Sequence, residues 1–310
     1  SGSDDGSTDD TRQVVAETFP DAQYLGHPNS GGPVLPRHRG FAASRGRYVA
    51  FLDCDDKWNP GVPADAVALL DRHPDVDVLF ADADMGNPQA GFSSWIDMGG
   101  QAAFRLLPGR EPEPGFKVLD RGPFFRRMAE RNAVFIGATV IRREAFERSG
   151  MFDPHLRGAA DWELWVRMAH GFRFGFLDRR LAVYTRHADN MSDDRDAMVG
   201  EFCQSLRNVL MKLPLTAADR DHVRRLLRRQ LFWWGYIAYD GGRLADARRR
   251  FWQSLRAGST SPKTAAYLAA CLLPPPAVRL LRKAKQSVAP APPARRPSGS
   301  PPPAGGRGWG

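Results

Sequence analysis

Apolar and polar positions along the chain fall into two regimes. Through about residue 200, compact apolar runs alternate with segments of helical period. Thr11 to Phe19 predicts a short helix after an acidic turn, and Arg47-Tyr-Val-Ala-Phe-Leu-Asp53, bounded by Gly46 and an acidic cluster, predicts a buried parallel strand. Pro63 to His73 carries Ala66, Leu69 and Leu70 at helical spacing, and Pro74 stops it. Val76 to Ala81 predicts a second strand, and residues 86–115, rich in Gly and Pro, a long loop. Helices follow at Phe124–Glu130, Glu144–Ser149 and Asp161–His170, with strands at Ala133–Arg142, Phe172–Leu177 and Leu181–Thr185. Strands alternating with helices indicate an α/β layered domain.

After residue 200 the period changes. Val223, Leu226, Leu227, Leu231, Trp234 and Ile237 recur at helical spacing, Asp240-Gly241-Gly242 breaks the run, and Leu244, Ala247, Phe251 and Leu255 resume it. This predicts an αα-hairpin, joined by a further helix at Lys263–Leu273 before Pro274-Pro275-Pro276. Its spacing resembles one tetratricopeptide-type unit. The expected organisation is a domain over 1–200, a helical hairpin region over 201–287 and a disordered Pro/Ala/Gly/Arg tail over 288–310.

Composition narrows this picture. The chain has 310 residues, 42% hydrophobic and 25% charged, which is ordinary globular usage. No run of about 18 uninterrupted apolar residues exists to span a membrane. Ser1 to Asp10 is polar and acidic, unlike a signal peptide. Cys54, Cys203 and Cys271 are far apart and form no CxxC pair, which fits a reducing, cytoplasmic setting better than a disulfide framework or a zinc site.

The net charge of +9 alone points to nucleic acid or an anionic membrane, but it is unevenly spread. Residues 1–200 carry 24 Lys and Arg against 30 Asp and Glu, a net of −6; residues 201–310 carry 20 against 5, a net of +15.

Four segments carry candidate chemistry. Phe51-Leu-Asp-Cys-Asp-Asp-Lys-Trp-Asn-Pro60 ends an apolar strand in Asp53, Asp55 and Asp56, where α/β sheets bind ligands. Three carboxylates in four residues repel unless a cation neutralises them, and Mg²⁺ or Mn²⁺ suits oxygen ligands of this kind. A solvated acidic turn capping the next helix explains the spacing equally well. Ser3-Asp-Asp-Gly-Ser-Thr-Asp-Asp-Thr11 is turn chemistry in which Ser7 or Thr8 can cap the following helix. Asp161 opens an amphipathic helix bearing Leu164, Trp165 and Met168; the helix dipole should hold its pKa down and keep it available as a base, although an N-cap is the commoner role. His187, after a strand, reads as a metal or phosphate ligand, or as a structural histidine.

In order and wording these segments resemble glycosyltransferase family 2, inverting enzymes of the GT-A fold. The matching text is Asp4-Asp5-Gly6-Ser7-Thr8-Asp9, Asn29-Ser-Gly-Gly-Pro33 with Arg37-His-Arg-Gly40, and Gly46 to Pro60. It continues through Gly137 to Phe146, Gly150-Met-Phe-Asp153, Asp161-Trp-Glu-Leu-Trp-Val-Arg167 and Tyr184-Thr-Arg-His187, covering residues 4–192.

The resemblance implies a Rossmann-like GT-A nucleotide-diphospho-sugar transferase fold with a mostly parallel central sheet, followed by the C-terminal helical region. It implies transfer of a sugar from a nucleotide-diphosphate sugar to a hydroxyl of a glycan or lipid-linked acceptor, as in polysaccharide biosynthesis. Asp4 and Asp5 match the nucleotide-base contact, with Asp5 the favoured partner. Arg37 matches an arginine near the ribose and diphosphate. Asp55 and Asp56 match the DxD element, for ribose and for Mn²⁺ or Mg²⁺ respectively; Asp53 opens that element, either contacting donor or only supporting the other two. Asp161 matches the catalytic base, and His187 a position near metal and diphosphate.

Three departures qualify the match. Only Ser1-Gly2-Ser3 precedes the acidic turn where the family has a first strand and helix, so a missing inner strand and weak donor binding are expected. Ala160 stands where the family often has Glu, and His38 replaces an Asn after the arginine. A catalytically impaired binding protein and a nucleotidyltransferase are the competing readings; the Gly-rich phosphate loop that the latter carries on its first strand is either absent or lost with the expected missing strand. In the C-terminal part, Arg224, Arg225, Arg228 and Arg229 and then Arg248, Arg249 and Arg250 read as solvated helix faces with no nucleic acid expected. Arg279, Arg282, Lys283 and Lys285 around Leu280 and Leu281 suggest an anionic membrane surface, such as the inner face of a membrane.

Overall fold

The computed structural model describes residues 1–87, 91–186 and 194–288. The chain divides into two compact units, one of Ser1–Met85 with Ser93–Arg186, the other of residues 86–92 with the chain from 187 onward.

The first unit is α/β. It opens with β1 (Gly2–Asp4), α1 (Thr11–Thr18), β2 (Tyr24–Gly26) and α2 (Val34–Ala43). The strands β1 and β2 pair in parallel as a sheet of their own, Asp4 opposite Gly26. Then come β3 (Tyr48–Val49), β4 (Lys57–Trp58), α3 (Val62–Arg72), β5 (Val78–Asn87), β6 (Gly91–Ser94), β7 (Gly109–Glu113) and β8 (Phe116–Leu119). The rest is α4 (Arg121–Glu130), β9 (Thr139–Arg142), α5 (Arg143–Ser149), α6 (Ala160–Gly171) and β10 (Phe174–Thr185). The larger sheet runs β3-β9-β5-β10-β8-β7, with β4 on β10 and β6 on β5.

The core lies on both faces of β5. Val78, Leu79, Phe80, Ala81 and Ala83 are all fully buried, as the unbroken apolar run requires. Phe80 meets Phe124 of α4 at 5.7 Å and Phe176 of β10 at 5.1 Å between ring centroids, and Phe124 meets Phe174 at 4.8 Å. This packing presses α4 and β10 onto the central strand.

Several expected elements change. The sheet is less parallel than expected: β9 runs antiparallel to β3 and β5, and β10 runs antiparallel to β4 and β8. An apolar run fixes burial, but connections fix strand direction. The two residues between β7 and β8, with Gly115 at φ +72°, permit only a hairpin. The strand expected over 47–53 shrinks to Tyr48–Val49 and pairs antiparallel, and that over 133–142 becomes a 3₁₀ turn (Ile136–Ala138) before β9. The two strands after α6 are one, β10.

The loop expected over 86–115 contains the end of β5, then β6, a 3₁₀ helix (Met98–Phe104) and β7. Buried Asp82 orders much of it. Its carboxylate accepts from Ala83 N at 2.8 Å, Ser94 Oγ at 2.6 Å, Ile96 N at 3.0 Å and Arg105 at 3.1 Å. One carboxylate thereby replaces the missing periodicity as the organising element.

The second unit is helical: α7 (Arg195–Lys212), α8 (Ala217–Asp240), α9 (Leu244–Arg256), α10 (Pro262–Ala270) and α11 (Pro275–Val288). The helical period of the sequence begins only at Val223 and the region is expected from 201, so α7 is an addition; it starts at Arg195 because Asp194 caps it, accepting from Asp196 N and Ala197 N at 3.1 Å each. Thr216 and Asp219 cap α8 through Asp219 N to Thr216 Oγ1 (3.1 Å) and Thr216 OH to Asp219 Oδ2 (2.7 Å). The helices α8 to α11 share one core of Ala238, Tyr239, Ala247, Phe251, Cys271 and Val278. Tyr267 of α10 knits it, with its ring 5.2 to 5.8 Å from those of Tyr239, Phe251 and Phe232.

Candidate active site

The first wall of the site is the turn after β1. Gly6 adopts φ +90°, and a Cβ there would sit 2.7 Å from Asn29 N, so the turn needs glycine. Asp4 accepts from Ser7 N at 3.1 Å and Ser7 Oγ at 2.6 Å, and from the Tyr24 hydroxyl of β2. The Ser7 hydroxyl, then Tyr24, hold its carboxyl below the usual range. Asp5 accepts from Ser30 N at 2.9 Å and Ser30 Oγ at 2.8 Å, with Arg39 at 3.7 Å. Ser7 therefore serves Asp4 and does not cap α1. The helix begins only at Thr11, whose N–H bonds Asp9 at 3.1 Å, so neither Ser7 nor Thr8 is its cap.

The second wall is the acidic turn after β3. Arg37 from α2 donates to both oxygens of Asp53, at 2.9 and 2.8 Å. Its guanidinium also lies 5.6 Å from the Phe152 ring centroid. Asp56 is buried and accepts from Thr185 N at 3.2 Å, while its Oδ2 meets no donor among the described residues. Burial pushes its carboxyl up to about 7, and the charges of Asp55 and Asp53 add to the rise. Trp58 Nε1 donates to Gly137 O at 2.8 Å, and Asn59 bonds Leu181 O and Arg180 O at 2.8 Å, pinning the turn to β10. Among the described residues no three His, Cys, Asp or Glu side chains are grouped to hold an ion, and Asp53 is engaged by Arg37. His187 lies outside the described residues.

The third wall is the start of α6. Asp161 accepts from Trp162 N at 2.6 Å and from Asn132 Nδ2 at 3.4 Å. It lies inside the helix that starts at Ala160, with Ala159 as the cap position. Its pKa corrects the expectation: burial pushes the carboxyl up and outweighs the Arg37 charge and the backbone bond, which pull it down. Trp162 Nε1 donates to Met128 O at 2.6 Å and fixes this helix start against α4. Fully buried Glu163 pairs with Arg167 at 3.0 Å; Arg167 also donates to the carbonyls of Gly150 (2.7 Å) and Met151 (2.8 Å). That arginine splints the loop between α5 and α6.

Asp53 and Arg37 thus stand together, and both charges act on Asp161. The loop that carries Ser30, the partner of Asp5, is tied to the segment before α6 by Arg157, which donates to Gly31 O. Tyr24, Ser30, Asn132 and Arg157 carry no role in the sequence pattern; Ser30 sits inside the Asn29–Pro33 segment, whereas nothing local marks Asn132.

Residues 3–148 match the model of glycosyl transferase family 2. This segment belongs to glycosyl transferase family 2. The family 2 segment accounts for β1 through most of α5, and the fold is GT-A. Over 83 residues the chain is 35% identical to the uncharacterized glycosyltransferase YibD of Escherichia coli (strain K12), covering 26% of this chain and 24% of that protein. Over 63 residues it is 43% identical to the uncharacterized glycosyltransferase alr2836 of Nostoc sp., covering 18% and 19%. These alignments span no more than about a quarter of the curated relatives. In structure the chain resembles S. aureus TarS 1–349, with a TM-score of 0.56, 16% identity, and coverage of 93% of this chain and 82% of that one. Against TarS 1–349 in complex with UDP the TM-score is 0.58 at 18% identity and the same coverage. His38 of the family 2 segment stacks 6.1 Å from Phe152, and burial pushes its imidazole pKa down.

Proposed function

We propose that this chain is an inverting glycosyltransferase that moves a sugar from a nucleotide-diphosphate sugar to a hydroxyl of a glycan or lipid-linked acceptor. One observation carries the reading: Arg37 clasps Asp53 of the acidic turn while its charge also acts on Asp161. Donor-side acids and a candidate base thereby share one cation.

Asp5, held by Ser30, faces the role of nucleotide-base acceptor, with Asp4 supporting the turn. Arg37 offers positive charge beside the diphosphate and holds Asp53 in place. Asp161 takes the proton from the acceptor hydroxyl; burial makes it a stronger base than an exposed carboxylate. The hydroxyl oxygen attacks the anomeric carbon opposite the departing diphosphate, and the configuration inverts, as in inverting hydrolysis with an alcohol in place of water. Asn132 and Trp162 N orient the carboxylate.

Asp55 and Asp56, with His187, would hold Mn²⁺ or Mg²⁺. The buried Oδ2 of Asp56, which meets no donor among the described residues, fits that assignment. Such an ion supplies charge neutralisation on the diphosphate.

The test is a screen of nucleotide sugars for Mn²⁺-dependent thermal stabilisation, followed by sugar transfer read by NMR of the anomeric centre. Inverted product that disappears in Asp161→Asn supports the proposal. Transfer unchanged by that substitution, or retained configuration, overturns it. Ala160, beside Asp161, keeps a second reading in view: an impaired family member that binds donor without turnover.

A further inference from the structure

The helical unit ends in a stretch of unusual charge. Residues 247–288 contain nine Lys and Arg and no Asp or Glu, and Asp246 is the last acidic side chain in the sequence. In α9 the exposed Arg248, Arg249, Trp252 and Arg256 recur at three- and four-residue spacing, opposite the buried Ala247, Phe251 and Ser254. Trp252 is 53% exposed within that cationic stripe. Beyond it the core closes over Cys271 and Val278, yet Leu272 and Leu280 remain 68% and 69% exposed, and Leu273 and Leu281 are exposed too. Arg279 stands exposed beside Leu280.

We propose that the outer surface of α9 to α11 docks on an anionic lipid bilayer, with Leu272, Leu273, Leu280 and Trp252 entering the interface and the arginines meeting lipid headgroups. Charge complementarity selects this occupant. A second copy of the chain would bring two strongly cationic surfaces together, since Asp246, paired with Arg249 at 2.9 Å, is the one acidic side chain of α9. A nucleic acid would satisfy the arginines but leave aliphatic leucines against phosphate and water. A bilayer with anionic headgroups answers both features at once, apolar contact below the headgroups and counter-charge at their level. The proposal goes beyond sugar transfer and does not depend on it.

The experiment is co-sedimentation of the full chain with vesicles of phosphatidylcholine, with and without phosphatidylglycerol. The chain should pellet with the anionic vesicles at low salt, stay in solution with neutral ones, and be released by high salt. The triple variant Leu272→Gln, Leu273→Gln, Leu280→Gln should bind at least about tenfold more weakly with an unchanged circular dichroism spectrum and melting temperature, because these side chains are exposed. Arg248→Gln with Arg249→Gln should flatten the salt dependence. Equal pelleting with neutral vesicles, no pelleting, or full binding by the leucine variant overturns the proposal. So does an RNA oligonucleotide that binds wild type and leucine variant alike and displaces the vesicles, or a stable oligomer that no longer pellets. None of these readouts uses donor or turnover, so they stand apart from the test of transfer.

Discussion

Arg37 grips Asp53 with both carboxylate oxygens, at 2.9 and 2.8 Å, with the arginine side chain only 10% exposed and the aspartate 40%. Both contacts come from the single nitrogen Nη2, so a lysine would keep the point charge but not the guanidinium stacked over the Phe152 ring. Arg37→Ala should lower kcat/KM for transfer by about a hundredfold or more and weaken donor binding by calorimetry, and Arg37→Lys, which keeps the charge, should lose less. Donor affinity and turnover equal to wild type in Arg37→Ala would remove the arginine from the site.

Asp161 links pH to stability. Its folded pKa lies above the unfolded value of about 3.9. The stabilisation from holding it protonated is therefore complete at low pH and is lost as pH rises through the folded pKa. Asp161→Asn removes the cost of the buried charge. It should abolish transfer yet raise the melting temperature by about 2–4 °C at neutral pH, with no gain near pH 4. Scanning calorimetry at the two pH values checks this.

Asp56 makes metal dependence testable without turnover. Mn²⁺ should raise the melting temperature of the wild type, and Asp56→Ala should lose that shift. Because the carboxyl titrates near pH 7, the Mn²⁺ shift should be larger at pH 8 than at pH 6. Equal shifts in wild type and Asp56→Ala would place the ion elsewhere.

Asn132 should act through Asp161. Asn132→Ala should lower kcat more than it changes the donor KM, and should move the acidic limb of the kcat pH profile upward, since a hydrogen bond to the carboxylate is lost. A pH profile that superimposes on wild type would leave Asn132 a purely structural residue.

Glu163 and Arg167 give a prediction about stability. Arg167→Met leaves the fully buried Glu163 unpaired and frees the carbonyls of the loop before α6, which should cost about 3 kcal/mol in urea unfolding. Pairing it with Glu163→Leu should recover part of that loss.

The alternation of strands and helices, the change to pure helix near residue 200 and the motifs of the family 2 segment are legible in the sequence alone. Local period, turn residues and order along the chain carry that information. Tertiary structure decided strand direction, because connections and not apolar runs set it, as the tight β7–β8 hairpin shows. It also decided that residues 86–115 are built rather than loose, since Asp82 reaches Ser94, Ile96 and Arg105 across the fold. The site followed the same rule. Asp53, Asp55, Asp56 and Asp161 were visible as letters, but their chemistry was not. The helix dipole suggested a low pKa for Asp161, and burial reversed the sign. Desolvation depends on what covers a side chain, and only the folded chain brings Arg37, Asn132 and Trp162 to that carboxylate.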